Sequence, residues 1–331
     1  MQAGVAAIAA ALPADTGVDI AMDSAVDIAM NSAVNSEADI AVDGETDIAK
    51  GQLLVFGDSL SDVGNAWLLL GDGAVPSPPH WRGRRCNGPI WVELLARQLG
   101  WPPLAPSLAG GTDHAHGGAR SGGGLSPKGV PNLLEQVARF LDCRAATPLD
   151  EAALVVLRAG ANDYLDGEPS MERAEAINAN LVTAVTALAQ VGARRVLVPT
   201  ELPWGVSPIV PPTFGLAQRQ AFDALIGLQN QGLARALQDL AQQLGLQVWQ
   251  PDFHGLLQAA VADPQAFDLV EVVQPVLQES QAASSAQRVP EASGFLWWDS
   301  RAHFCSAFHQ RLADQALACL GAAPLAGHVG P

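Results

Sequence analysis

Four short segments hold residue types that could cooperate in one reaction. Gly57-Asp58-Ser59-Leu60-Ser61-Asp62-Val63-Gly64-Asn65 places a serine directly after an apolar run. A serine on a strand-to-helix turn is well placed to act as a nucleophile, because a following helix would aim unpaired N–H groups and its positive end at a developing oxyanion. Ser59 alone could equally cap that helix. Gly160-Ala161-Asn162-Asp163 follows a second apolar run, and the Asn162 amide could donate to the same oxyanion, although Gly-x-Asn-Asp is also good turn chemistry. Between them, Asp113-His114-Ala115-His116-Gly117-Gly118-Ala119 offers glycines that let a backbone N–H come close to a substrate. Its H-x-H spacing could also ligate a metal, but no third ligand group accompanies it. Last, Trp297-Trp298-Asp299-Ser300-Arg301-Ala302-His303 supplies an imidazole base with a carboxylate close by to orient it.

These segments need a scaffold that brings them together. Leu53–Phe56, Ala153–Leu157, Arg195–Val198 and Leu246–Trp249 are short apolar runs closed by Gly, Pro or polar residues, the pattern of buried parallel strands. Pro89–Leu99, Asn132–Leu141, Glu172–Val191, Phe214–Leu244 and Phe304–Leu320 have helical spacing. Strands alternating with helices predict one α/β domain with a parallel sheet and right-handed crossovers. In such a sheet the ligand site lies beyond the carboxyl ends of the strands, which is where Ser59 and Asn162 fall.

The order FGDSLSDVGN, HGGA, GANDYL and a late Asp–His pair resembles the GDSL esterase/lipase family, the SGNH hydrolases. Cys86-Asn87-Gly88-Pro89-Ile90-Trp91-Val92 is similar to the NGPxW stretch of its larger bacterial and plant members. The resemblance covers about residues 52 to 321. It implies a three-layer α/β/α sandwich, flavodoxin-like, with about five parallel strands, and no metal or organic cofactor. Ser59 matches the nucleophile and, through its own N–H, part of the oxyanion hole. Gly118 matches the glycine that gives a second N–H, with Gly117 an alternative in a loose register. Asn162 matches the asparagine of the hole, His303 the general base and Asp299 the orienting carboxylate. The implied activity is hydrolysis of carboxylic esters, lipids among them, through an acyl-Ser59 intermediate. Acyl transfer, carbohydrate deacetylation and a non-catalytic binding module are the alternatives on the same scaffold. The family's Asp-x-x-His is one residue longer here, and Ser300 occupies the strict acid position. Either a local bulge lets Asp299 reach His303, or something weaker orients the base. His309 fits the second histidine of the family pattern.

Charge sharpens the domain boundary. The chain of 331 residues has a net charge of −16, which disfavours a nucleic-acid surface. Residues 1–50 hold nine acids and one base, so they carry half of that charge. They repeat a short VDIAMDSAV-like theme and contain no aromatic residue, as in a disordered acidic leader. Residues 51–322 form the expected hydrolase domain and 323–331 a flexible tail. No run reaches the ~20 apolar residues of a membrane span. Ala3–Leu12 resembles a signal-peptide core, but no Lys or Arg precedes Lys50, so both an exported and a cytoplasmic location stay open. Cys86, Cys143, Cys305 and Cys319 lack C-x-x-C spacing and read as incidental or buried thiols rather than a metal site, with a disulfide possible. His80 and Trp81 are candidates for the wall of an acyl pocket, and the loops 71–88 and 203–215 for setting acyl length. His254 reads as packing on or capping a helix. Trp297 and Trp298 read as core.

Overall fold

A computed structural model of the protein describes residues 51–144, 148–165, 169–210, 213–278 and 291–325. The acidic leader and most of the expected tail lie outside the described residues.

The first apolar run becomes strand β1 (Leu53–Gly57) and the second β2 (Leu154–Arg158); all ten residues are buried. Side chains alternate across a sheet, so complete burial means that both faces are covered. β3 (Arg195–Leu197) and β4 (Gln247–Trp249) continue a parallel sheet in the order β1-β2-β3-β4. Each strand matches one of the four apolar runs to within a residue or two.

The expectation of about five strands resolves, among the described residues, into four and an extended edge segment. Residues 112–116 run beside the free edge of β1: Val55 N–H donates to Thr112 O at 3.0 Å, His114 N–H to Val55 O at 2.7 Å, and His116 N–H to Gly57 O at 3.0 Å. The segment leads directly into Gly117 and Gly118. The chain therefore steps outward from β1 to this edge, then crosses back to β2. Its direction across the sheet reverses beside β1, and a crevice opens there at the carboxyl ends of the strands.

The long helices cover the sheet in two groups. One comprises α2 (Trp91–Gln98), α7 (Phe253–Ala262) and α8 (Ser306–Gly321), with α8 packed on both of the others. The other comprises α3 (Leu133–Cys143), α5 (Met171–Gln190) and α6 (Leu216–Leu244), which pack on one another and on β1, β2 and β4. Trp91, Phe56, Phe253, Trp297, Phe304 and Phe308 are among the largest fully buried side chains. No described helix is long and apolar enough to cross a membrane.

One element departs from expectation. The helix after Ser59 does not begin at the serine. Residues 58–64 form turns, and α1 (Asn65–Leu70) is six residues long. Asp62 holds back its start: Oδ1 accepts from Gly64 N–H at 2.7 Å and Asn65 N–H at 2.6 Å, and Oδ2 accepts from Ala66 N–H at 3.0 Å. The N–H groups expected to face an oxyanion are thus spent on a carboxylate.

Candidate active site

Ser59 is set by a clamped turn. Gln136 of α3 grips Gly57 from both sides, its Oε1 accepting Gly57 N–H at 2.9 Å and its Nε2 donating to Gly57 O at 2.8 Å. Gly57 has φ 155°, and a Cβ there would run into the carbonyl oxygen of Arg158, so only glycine lets the strand turn so close to β2. Asp58 caps the turn, accepting from Leu60 N–H at 3.1 Å, and is fixed by Arg158, whose Nη1 donates to both of its oxygens at 2.8 and 2.6 Å.

His303 comes to Ser59 from the other end of the sequence. Its Nε2 lies 2.8 Å from Ser59 Oγ, and its Nδ1 lies 2.8 and 2.9 Å from the two oxygens of Asp299. The extra residue between acid and base is taken up at the tip of a hairpin. Its arms are joined by Trp298 N–H to His303 O at 2.7 Å and Cys305 N–H to Leu296 O at 3.0 Å. Trp297 stacks on Phe304 with centroids 4.8 Å apart. Within the tip, Asp299 Oδ1 accepts from Arg301 N–H at 3.0 Å, and Ala302 takes φ 64°, the left-handed conformation that closes the loop. Asp299, not Ser300, faces the imidazole.

Burial works to raise the Asp299 carboxyl, but His303, Arg85 and His80 outweigh it and hold it at about 2. Burial lowers His303 below its ordinary value; Asp299 opposes this, while Arg85 and Lys128 add to it. A neutral imidazole with Nδ1–H on Asp299 leaves Nε2 free to accept the serine proton.

The glycine pair divides its backbone donors. Gly117 N–H is engaged by Asp62 Oδ2 at 2.7 Å. Gly118 N–H and Ser59 N–H have no acceptor among the described residues. Gly118 has φ 97°, and a Cβ on it would strike the Lys128 side chain at 2.6 Å. A glycine therefore keeps this N–H turned as it is. Gly117 lies against Ser59, its would-be Cβ 3.5 Å from Ser59 Cβ. Asn162, on α4 (Ala161–Leu165), uses one amide proton on Ala119 O at 2.9 Å, which locks the other in place. Asp163 ties the same helix to Ser121 through N–H at 2.9 Å and Oγ at 2.7 Å.

A cavity of ≈ 370 Å³ opens at Ser59 and His303, walled by Tyr164, Trp204, Ile209, Val210, Phe214 and Phe222. Trp204, Ile209, Val210 and Phe214 of the loop 203–215 thus line it, and no residue of the loop 71–88 does. His80 and Trp81 do not line it either: His80 faces a second cavity, and Trp81 lies under Arg82 and Arg84, whose guanidinium carbons sit 5.2 and 5.1 Å from its ring centre. The proline-rich loop carries them away because Trp298 Nε1–H anchors His80 Nδ1 at 2.9 Å.

The remaining candidates have structural roles. His309 is buried, held at about 3 by burial, and accepts Trp91 N–H at 3.3 Å at the start of α2. His114 stacks on Phe56 at 5.0 Å, and His116 Nδ1 lies 2.8 Å from His114 O. No group of three metal-ligating side chains occurs among the described residues. His254, in the first turn of α7, donates its backbone N–H to Thr200 Oγ1 at 2.9 Å. Trp297 and Trp298 are core. All four cysteines are free; burial pushes the Cys305 thiol up to about 12.

The sequence reading missed the charged floor of the site. Arg158, the last residue of β2, donates Nη2 to Glu201 at 2.8 Å as well as holding Asp58. Burial acts to lower the guanidinium, but Asp58 and Glu201 outweigh it and keep it charged. Glu201 in turn accepts Trp204 Nε1–H at 2.8 Å, which fixes one wall of the cavity. A charge at the end of an apolar run was the available signal.

The GDSL-like Lipase/Acylhydrolase family model matches residues 53–316. The chain belongs to this family. A GDSL esterase/lipase of Arabidopsis thaliana, At5g45950, is 23% identical over 81% of this chain and 87% of its own length. A phosphatidylcholine-sterol acyltransferase of Aeromonas hydrophila is 35% identical over 34% of this chain, and the match spans about a third of that protein, 33%. Among solved structures, a lipolytic G-D-S-L family protein from Veillonella parvula covers 82% of this chain and 99% of its own, with TM-score 0.45 and 16% identity. The family whose model it matches is one of lipases and acylhydrolases, which act on ester bonds.

Proposed function

We propose that this GDSL hydrolase cleaves carboxylic esters of hydrocarbon acyl groups through an acyl-Ser59 intermediate. The observation that carries this reading is the unbroken chain Ser59 Oγ, His303, Asp299, with 2.8 Å on either side of the imidazole. His303 takes the proton of Ser59 as Oγ attacks the carbonyl carbon. The resulting oxyanion accepts from Ser59 N–H, Gly118 N–H and the second Asn162 amide proton. His303 then gives its proton to the leaving alcohol, and the acyl-enzyme is hydrolysed by water that His303 activates in the same way. Asp299 holds the imidazole at Nδ1 and stabilises it when protonated. The apolar walls of the ≈ 370 Å³ cavity suit the acyl chain.

The test is a series of p-nitrophenyl esters of graded acyl length. Each buried methylene contributes about 0.8 kcal/mol, so kcat/KM should climb by up to about fourfold per carbon from acetate until the cavity is full. A maximum at acetate would overturn the hydrocarbon-acyl reading in favour of a deacetylase. Ser59→Ala should abolish turnover and labelling by a fluorophosphonate; full activity in that variant would remove Ser59 from the mechanism. The likeness to the Aeromonas acyltransferase favours a second reading, transfer of the acyl group to an alcohol, which product analysis with an added alcohol acceptor would detect.

A further inference from the structure

The backbone from Gly117 to Ser121 spends every N–H but one. Gly117 N–H goes to Asp62 Oδ2 at 2.7 Å, Ala119 N–H to His116 O at 3.0 Å, Arg120 N–H to Asn132 Oδ1 at 2.8 Å and Ser121 N–H to Asp163 Oδ2 at 2.9 Å. Gly118 N–H is left over among the described residues. Gly118 is a buried residue, where an unused donor is uncommon.

The two ends of this segment are pinned by carboxylates. Each carboxylate rides on a part of the chain that carries another of the three oxyanion donors. Asp62 belongs to the turn of Ser59. Its own N–H bonds Asp58 O at 3.1 Å, and besides Gly117 it accepts from the N–H groups of Gly64, Asn65 and Ala66. Asp163 follows Asn162 on α4. Its Oδ1 accepts from Ser121 Oγ at 2.7 Å, and Asn180 of α5 donates to that hydroxyl at 2.9 Å. Asn162 adds a third tie through its bond to Ala119 O at 2.9 Å.

We infer that Asp62 and Asp163 are positioning residues of the oxyanion hole. Neither acts on the reacting atoms directly. Asp62 sets the Gly118 N–H relative to Ser59, and Asp163 sets it relative to Asn162. This rests on the acyl-Ser59 reading above, which gives the oxyanion its three donors. The two carboxylates differ in what can replace them. All four of these partners of Asp62 are backbone N–H groups, which only donate. An asparagine there must turn its own NH₂ toward one pair of them, so Asp62→Asn breaks bonds whichever way it lies. One partner of Asp163 is a hydroxyl, which accepts as well as donates. Asp163→Asn can keep its oxygen on Ser121 N–H and donate its NH₂ to Ser121 Oγ.

The experiment measures turnover of p-nitrophenyl butyrate by the full-length protein and its inhibition by a trifluoromethyl ketone with the same chain. Ser59 Oγ adds to the ketone carbon, its proton passes to His303, and the carbonyl electron pair becomes an oxyanion, so the inhibitor reports on the hole. Asp62→Asn and Asp163→Ala should each lower kcat by on the order of 10²-fold, the cost of a group displaced by about 1 Å, with KM nearly unchanged. Inhibition should weaken by the same factor as kcat/KM. Asp163→Asn should stay within about fivefold of the parent, the worth of one neutral hydrogen bond. Asp62→Ser keeps an oxygen for the local Gly64 and Asn65 N–H groups and none for Gly117. It should show the same loss of kcat, and it stands in if the asparagine variant does not fold. The acid limb of the pH profile should stay in place, because the charges acting most on His303 are Asp299, Arg85 and Lys128. An unchanged kcat in the folded Asp62→Ser and Asp163→Ala variants, inhibition as strong as in the parent, or a shifted acid limb overturns the proposal. If the parent turns over no ester and takes no fluorophosphonate, the acyl-Ser59 reading fails, and the ties are judged by hydrogen exchange at amides 117–121. Faster exchange in Asp62→Ser and Asp163→Ala supports them; exchange as in the parent overturns them.

Discussion

His303 has to be neutral at Nε2 and held at Nδ1, and its neighbours act on both requirements. Burial, Arg85 and Lys128 lower its proton affinity, while Asp299 raises it. A base lowered in this way is already neutral below the ordinary histidine value of about 6.5. The acid limb of kcat/KM for a neutral ester should therefore have its midpoint below about 6.5, because the free enzyme must have lost that proton to react. Replacing Asp299 with asparagine removes the one influence that raises His303, so the limb should move to lower pH. The same change loses the partner that fixes the imidazole and stabilises its protonated form, so the plateau should fall by about 10³–10⁴-fold. A pH–rate profile of both proteins checks the sign and the loss together. A limb that moves upward in Asp299→Asn would contradict the electrostatic argument. At this scale Ser59 and Asn162 were legible because each stands just after an apolar run, and His303 because it stands just before a helix. The Asp58–Arg158–Glu201 group was not, since its members lie 100 and 43 residues apart and only the turn of β1 against β2 brings them together.

The hairpin that carries Asp299 and His303 shows how an element absorbs what the linear pattern leaves open. Spacing alone left the carboxylate uncertain by one residue. The paired arms fix the two ends of the tip, and Ala302 at φ 64° takes up the additional length. A left-handed residue other than glycine costs about 1–2 kcal/mol, and a β-branched side chain costs more. Ala302→Gly should keep activity and hold or raise the thermal midpoint. Ala302→Val should lower the midpoint and reduce kcat, because the strain is relieved by moving His303 away from Ser59 Oγ. Thermal unfolding and steady-state kinetics on the two variants test this; equal behaviour would mean that the tip does not depend on that conformation. The strands were legible from their apolar runs, which complete burial requires. The edge segment 112–116 was hidden because Thr-Asp-His-Ala-His has no such run, and it is held by backbone pairing to β1 and by Asn65, whose Nδ2 donates to Asp113 O at 2.7 Å and Ala115 O at 3.0 Å. The helix after Ser59 was expected too early, since its start is set by Asp62, which accepts from Gly64, Asn65 and Ala66 N–H and also from Gly117 N–H at 2.7 Å.

Across the whole molecule, charge and catalytic structure are separately distributed. Residues 1–50 carry half of the net charge of −16, whereas the named strands, helices and site residues lie between Leu53 and Gly321, a span that the family match follows from 53 to 316. β1 begins at Leu53, and Leu154 N–H already pairs with Gln52 O at 3.0 Å, so the sheet is complete without any residue before Gln52 among those described. A chain of residues 51–331 should then fold as the full chain does. Its thermal midpoint should shift by less than about 2 °C, the change that corresponds to roughly half a kcal/mol in a domain of this size. Its kcat/KM on p-nitrophenyl esters should stay within about twofold, since that is the scale of a surface effect rather than the loss of a site residue. The shortened protein should nevertheless elute earlier from an anion-exchange column, because half of its net negative charge is gone. A fall in the midpoint of several degrees, or loss of activity with the fold intact, would show instead that the acidic leader packs on the hydrolase domain and belongs to its working structure.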